Sequence, residues 1–174
     1  MHIGKELFIV AEIGINANGD INLAKNMIDA AKWSGADAVK FQTYSTDLLV
    51  SKTASPKQYE MLKKYECPNS FFISLKKYCD KVNITFLSTP HTEDAIDLLD
   101  PLVPMFKVGS GDFNNYPFLE KIIAKKKQMI LSTGMAEMQE IRNTVKFLEK
   151  HKAKYVLMHC TSLYPCPVDK LNLS

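Results

Sequence analysis

"DAVKFQT", residues 37–43, places Lys40 and Gln42 at alternate positions of a short apolar run. In an extended chain successive side chains leave on opposite sides, so Ala38, Lys40 and Gln42 share one face and Val39 and Phe41 the other. "PMFKVGSG" (104–111) repeats the arrangement, with Met105, Lys107 and Gly109 set against Phe106 and Val108. "LFIVAEIG" (7–14) does so again with Val10 and Glu12. Three more apolar runs, "ITFLSTP" (84–90), "QMILSTG" (128–134) and "KYVLMHCT" (154–161), bring the expected strands to six.

Helical periodicity fills the intervals: Ala24, Met27, Ile28 and Ala31; Phe72, Leu75, Cys79 and Val82; Met138, Ile141, Val145 and Leu148. These stripes read as packing faces. Shorter helices are predicted over 93–99, starting at Thr92, and over 115–125, starting at Asn115. Strand alternating with helix signals βα units and a parallel sheet. Periodicity alone does not separate a closed barrel from an open doubly wound sheet. The polar strand positions do: three strands each end in a charge on one face, as the lining of a barrel mouth requires. The expected fold class is therefore α/β, a TIM (β/α)8 barrel of which about six strands are present. Residues 44–70, with Pro56 and Pro68, interrupt the rhythm after the second strand, where a loop can cover a substrate.

Composition narrows the function. The 174 residues are 46% hydrophobic and 24% charged, which suits one ordinary folded domain over 1–174. No apolar run approaches the ~20 residues that span a bilayer, and the amino end makes a poor signal peptide, so a cytoplasmic protein without a membrane partner is expected. Net charge is +3 and Arg142 is the one arginine among 22 basic residues, which argues against a nucleic-acid reader. Lys125, Lys126 and Lys127 fall where a helix should end and suit its dipole. Cys67, Cys79, Cys160 and Cys166 form no CxxC pair and read as reduced thiols.

Buried charges need partners, and two mid-strand lysines, Lys40 and Lys107, suggest an anionic ligand. Gly109-Ser110-Gly111 brings backbone N–H groups and a hydroxyl beside Lys107, a chemistry suited to phosphate or carboxylate. Ser88-Thr89 and Ser132-Thr133 place more hydroxyls at strand ends, either for a ligand or for their own backbone. Glu12 can act as an acid or base, hold sugar hydroxyls, or simply pair with a lysine. Asp112 can share that work or form a turn. Tyr164 can stack on a ligand or pack beneath its loop. His91 and His159 also fall at strand ends, but no spacing rule links them, and structural hydrogen bonding explains them better than a metal pair.

"FIVAEIGINANGD", "GADAVKFQT", "FLSTP", "FKVGSGDFNNYPFLEK", "ILSTGM" and "HCTSLYPCP" stand in the order and rough spacing of the sialic acid synthase (NeuB-like) family, which the chain resembles over nearly its whole length. The resemblance implies a TIM barrel enzyme followed by a small antifreeze-like domain. It implies condensation of phosphoenolpyruvate with an N-acylated hexosamine such as N-acetylmannosamine, giving a nonulosonic acid and phosphate with the help of divalent Mn or Mg, commonly in a homodimer. By the same resemblance Lys40, Thr89, Lys107, Ser110 and Ser132 would bind phosphoenolpyruvate, and Glu12 would lie near the sugar with Tyr164 beside it; Glu12 and Asp112 are the candidate catalytic residues, and Gln42, Ser162 and Tyr164 are further substrate-binding candidates. The first loop departs from the family pattern with Asn16-Ala17-Asn18-Gly19, and Ser162 and His91 replace a common asparagine and phenylalanine.

A whole barrel takes eight strands and typically ~250 residues, so the chain is expected to be the amino-terminal part of one. The last strands, the metal-binding histidines and the antifreeze-like domain would lie outside it, and the fragment alone would turn over little substrate. Two alternatives stay open: a Schiff-base aldolase using Lys40 or Lys107, and a non-catalytic anion-binding or assembly module.

Overall fold

A computed structural model describes residues 7–172, which divide into two compact units, one ending at Pro104 and the other beginning at Met105. In the first unit the order is β1 (Val10–Gly14), α1 (Ile21–Trp33), β2 (Ala38–Thr43), α2 (Thr46–Leu49), α3 (Pro56–Tyr65), α4 (Asn69–Val82), β3 (Thr85–Pro90) and α5 (Glu93–Leu99). The strands form a parallel sheet in the order β1-β2-β3. The second unit holds β4 (Met105–Val108), a 3-10 turn (Ser110–Asp112), α6 (Tyr116–Ala124), β5 (Gln128–Ser132), α7 (Met138–Lys150) and β6 (Tyr155–Met158), with a parallel sheet ordered β4-β5-β6. All six expected strands are there among the described residues.

Strand register explains what each face carries. Glu12 lies opposite Lys40, and Gln42 opposite Thr89, so these four side chains belong to one face of the first sheet. Val39, Phe41 and Phe86 belong to the other face and are buried, with the two rings stacked 5.8 Å apart. Helices α1, α4 and α5 pack on this sheet and bury Ile28, Phe72, Leu75 and Ile96. In the second sheet Lys107 lies opposite Ile130, and Ser132 opposite Met158. Phe106, Val108, Met129 and Leu131 occupy the reverse face and are wholly buried. One face of each sheet is thus core, and the other carries the polar chemistry at its carboxyl end.

Local signals explain the helix ends. Asp20 caps α1 by accepting from the Asn22 and Leu23 amides at 2.8 and 3.1 Å. Asn115 starts α6 as expected, accepting from the Phe118 amide. Thr92 stands at the start of α5 but does not cap it; its hydroxyl instead accepts from the Ser45 amide at 3.4 Å and ties the insertion to β3. Met138 departs from the expected packing stripe: it occupies the first position of α7 and is exposed. The four cysteines are free thiols. Burial pushes the Cys79 thiol up to about 12, which leaves it inert. No helix among the described residues is long and apolar enough to cross a membrane.

The insertion after β2 is two helices, not an open loop. Asp47 of α2 accepts from Tyr59 and from Lys63, the latter at 3.0 Å, and Lys63 also reaches Glu66 at 3.1 Å. Glu66 closes the ring by accepting from the Thr46 amide at 3.1 Å. The hydrogen bond from Tyr59, reinforced by Lys63, holds the Asp47 carboxyl below its ordinary value. Burial alone would raise Glu66, but hydrogen bonds from Thr46 and Lys63 outweigh it and hold that carboxyl low as well. Carboxyls with depressed folded-state values stabilise above their unfolded value, about 4, and that contribution vanishes as pH falls through the folded values. The Thr46 amide should therefore lose hydrogen-exchange protection progressively as pH falls below about 4, once intrinsic exchange is corrected for. Protection that stays unchanged down to the acid unfolding of the unit would remove the clasp from the account.

Candidate functional site

In the first unit Lys40 rises from β2 with only 11% of its side chain exposed. Its ammonium pairs with the Glu12 carboxylate of β1 and donates to Thr89 Oγ1 of β3 at 3.0 Å. Three neighbouring strands thus contribute one group each, as the register dictates. Gly14 makes room for them. It sits at an irregularity in the β1–β2 pairing with φ +60°, and a Cβ there would stand 3.3 Å from Glu12 Oε1 and 3.5 Å from Gln42 Nε2. Ser88, the neighbour of Thr89, points to the opposite face and bonds Thr43 at 2.7 Å. Of this hydroxyl pair, only Thr89 meets the lysine.

The second unit builds a comparable group. Lys107 is 8% exposed and donates to Ser132 Oγ at 2.5 Å and to the Val108 carbonyl at 2.7 Å. Thr133, next along, donates to the Met158 carbonyl at 2.8 Å and belongs to the backbone of β6. Ser110 accepts from the Gly134 amide at 3.2 Å, while Ser162 donates to the Gly134 carbonyl at 2.5 Å. Gly134 is therefore the hinge of a bracket joining the loops after β4, β5 and β6. A side chain there would crowd it: a Cβ would lie 3.0 Å from Ser162 Oγ and 3.2 Å from Ser110 Oγ. Sequence reasoning missed the roles of Gly134 and Gly14, although Gly134 directly follows the hydroxyls of Ser132 and Thr133, and Gly14 ends β1 two residues after Glu12.

The remaining candidates are placed less tightly. Glu12 is half exposed and ion-paired, so the simple lysine-pair reading describes its geometry. Asp112 ends the 3-10 turn and accepts from Asn115 Nδ2 at 3.3 Å, consistent with a turn-forming acid. Tyr164 is 93% exposed and does not pack beneath its loop. His159 bonds the Leu171 carbonyl at 2.7 Å, a structural role. Among the described residues no group of three His, Cys, Asp or Glu side chains could hold a metal ion.

Among the described residues, two of the hollows beside the first sheet are large. One, of about 510 Å³, opens between the β2 and β3 ends and the insertion, and is lined by Gln42, Tyr44, Gln58, Leu62 and His91 among others. Tyr44 forms its floor, its hydroxyl donated to the Leu62 carbonyl at 3.1 Å and pushed up to about 12 by burial. The other, of about 460 Å³, lies at the opposite strand ends beside Asp37, Asn83, Thr85 and Pro104, and its Lys76 and Asp80 pair with each other. Of these two, the first adjoins the polar face through Gln42.

The model of the NeuB family matches residues 27–174. The chain is 43% identical to the N,N'-diacetyllegionaminic acid synthase of Legionella pneumophila, covering 95% of this chain and 52% of that protein. It is 35% identical to the human N-acetylneuraminate-9-phosphate synthase, covering 95% and 50%. The chain spans about half the length of the curated relatives it matches. Among solved structures, the N-acetylneuraminic acid (sialic acid) synthetase of Leptospira borgpetersenii superposes with a TM-score of 0.91 at 32% identity, over 99% of this chain and 62% of that one. The fold class is accordingly the α/β barrel anticipated from the strand pattern, with six of its strands among the described residues.

Proposed function

Because the chain belongs to the NeuB family, we propose that the protein carrying it condenses phosphoenolpyruvate with an N-acylated hexosamine to form a nonulosonic acid and inorganic phosphate. The observation that carries this reading is a lysine ammonium held by a hydroxyl at the carboxyl end of each sheet, Lys40 by Thr89 and Lys107 by Ser132. Phosphoenolpyruvate carries a carboxylate and a phosphate, anions of the kind a lysine–hydroxyl pair suits, and Lys40, Thr89, Lys107, Ser110 and Ser132 are assigned to its binding. Glu12 and Asp112 are assigned to proton handling, and Gln42, Ser162 and Tyr164 to the sugar.

The enol carbon adds to the sugar aldehyde, water attacks the cationic carbon that results, and the C–O bond to phosphate breaks. Fixed ammonium groups lower the cost of the charge that accumulates on the leaving phosphate, and ordered binding removes most of the entropic barrier. The family's divalent Mn or Mg would supply polarisation of the aldehyde. The described residues provide no ligand set that fits such an ion, so no step is routed through it. We assign the active assembly to a homodimer in the cytoplasm.

The test is phosphate release from phosphoenolpyruvate with N-acetylmannosamine and its relatives, measured for the 174-residue chain and for a protein of the relatives' full length. The longer protein should turn over, whereas the shorter chain should bind phosphoenolpyruvate with little or no turnover. Absence of sugar-dependent release from the longer protein would sink the assignment.

A further inference from the structure

Both backbone polar groups of Gly134 meet a serine hydroxyl. The amide donates to Ser110 Oγ at 3.2 Å, and the carbonyl accepts from Ser162 Oγ at 2.5 Å. We propose that Ser162 and Gly134 are positioning residues for the anion site: together they fix Ser110 so that its single hydroxyl proton is presented to the bound anion. The inference rests on the function proposed above, in which Ser110 binds phosphoenolpyruvate.

A hydroxyl has one proton to give and two lone pairs that receive. The Gly134 N–H occupies a lone pair of Ser110 Oγ and repels the hydroxyl's own proton, which turns away from Gly134. A freely rotating hydroxyl must give up that freedom when a ligand arrives, whereas one already held does not. The Ser162 proton is committed to the Gly134 carbonyl, so this hydroxyl keeps only lone pairs for any neighbour. Its bond ties the loop after β6 to the loop after β5, and the Gly134 amide carries the restraint on to the loop after β4. Lys107 of β4 and Ser132 of β5 bond each other at the root of two of these loops, so the ammonium and Ser110 share one frame.

Space, not backbone conformation, calls for glycine at this position. Gly14, Gly19 and Gly35 have the positive φ that favours glycine, and Gly134 does not. A Cβ on Gly134 would instead stand 3.0 Å from Ser162 Oγ, 3.1 Å from Cys160 Cβ and 3.2 Å from Ser110 Oγ. Alanine would therefore push both hydroxyls away from the backbone groups they bond.

The experiment titrates the full-length protein with phosphoenolpyruvate alone, by calorimetry and without sugar, alongside melting curves. Ser110→Ala should weaken binding about ten-fold, the loss of one hydrogen bond to a charged group. Ser162→Ala should weaken it about three-fold, although a residue that served only the sugar would leave this titration unmoved. The double variant should lose about ten-fold in all, not about thirty-fold, because Ser162 reaches the anion only through Ser110. A merely structural role would make the two losses multiply. Ser162→Thr, which keeps the hydroxyl, should restore binding, and Gly134→Ala should fall to about the level of Ser110→Ala. Affinity indifferent to Ser162, losses that multiply, or no rescue by threonine overturns the inference and leaves the function standing, since the unsubstituted protein still binds phosphoenolpyruvate. An unsubstituted protein without that affinity removes the function, and the inference with it.

Discussion

Lys107→Met should weaken phosphoenolpyruvate binding by about 10²- to 10³-fold while leaving the thermal midpoint nearly unchanged. The side chain is 8% exposed, and its ammonium contacts the Ser132 hydroxyl at 2.5 Å. Methionine nearly matches its length and volume, so the face keeps its packing while losing the charge. Removing a buried charge in favour of an apolar side chain of similar volume is often neutral or stabilising. Losing the cation opposite a bound anion costs roughly 2–5 kcal/mol, because the anion is then left without its partner. Affinity and stability therefore part company at this position. Calorimetric titration with phosphoenolpyruvate and a parallel melting curve measure both. Unaltered affinity would mean that Lys107 is structural and would remove the second sheet from the proposed site.

The same contrast shows what was legible before any coordinates. Alternation along β2 assigned Lys40 and Gln42 to one face, and the structure keeps them there. Alternation cannot set the register between strands, because a slip of one residue exchanges the faces of an entire strand. For that reason alternation alone left Ser88 and Thr89 equivalent, and the family resemblance singled out Thr89, the one that meets Lys40. Ser132 and Thr133 were equally ambiguous by alternation, and the resemblance singled out Ser132, the one that meets Lys107. The bracket through Gly134 was invisible for a related reason: it joins loops separated by more than twenty residues, and a glycine carries no side chain to signal contact. The helices of the insertion were missed because α2 has one turn, and α3 lacks a capping hydrogen bond and is mostly polar. What holds α2 to α3 is the ring of charges, which no periodicity records.

Phe106→Ala should do the reverse of the lysine substitution one residue later. Phe106 is wholly buried and lies opposite Met129, with Val108 and Leu131 continuing the same apolar face. Truncating the ring removes its transfer free energy and leaves a cavity that the neighbours fill only in part, a combined loss of about 3–5 kcal/mol. Against the roughly 5–15 kcal/mol that holds an ordinary domain together, this is a large share. The loss should appear as faster native-state hydrogen exchange at the amides of β4 and β5. Phosphoenolpyruvate affinity per folded molecule should change by less than about three-fold, because Phe106 points away from the face that carries Lys107 and Ser132. A stability loss below about 1 kcal/mol would show that the reverse face of this sheet is not the packed core its burial implies. A collapse of affinity in molecules that remain folded would show that the division of labour between successive residues of β4 does not hold, and with it the reading of the strand from which the fold class was inferred.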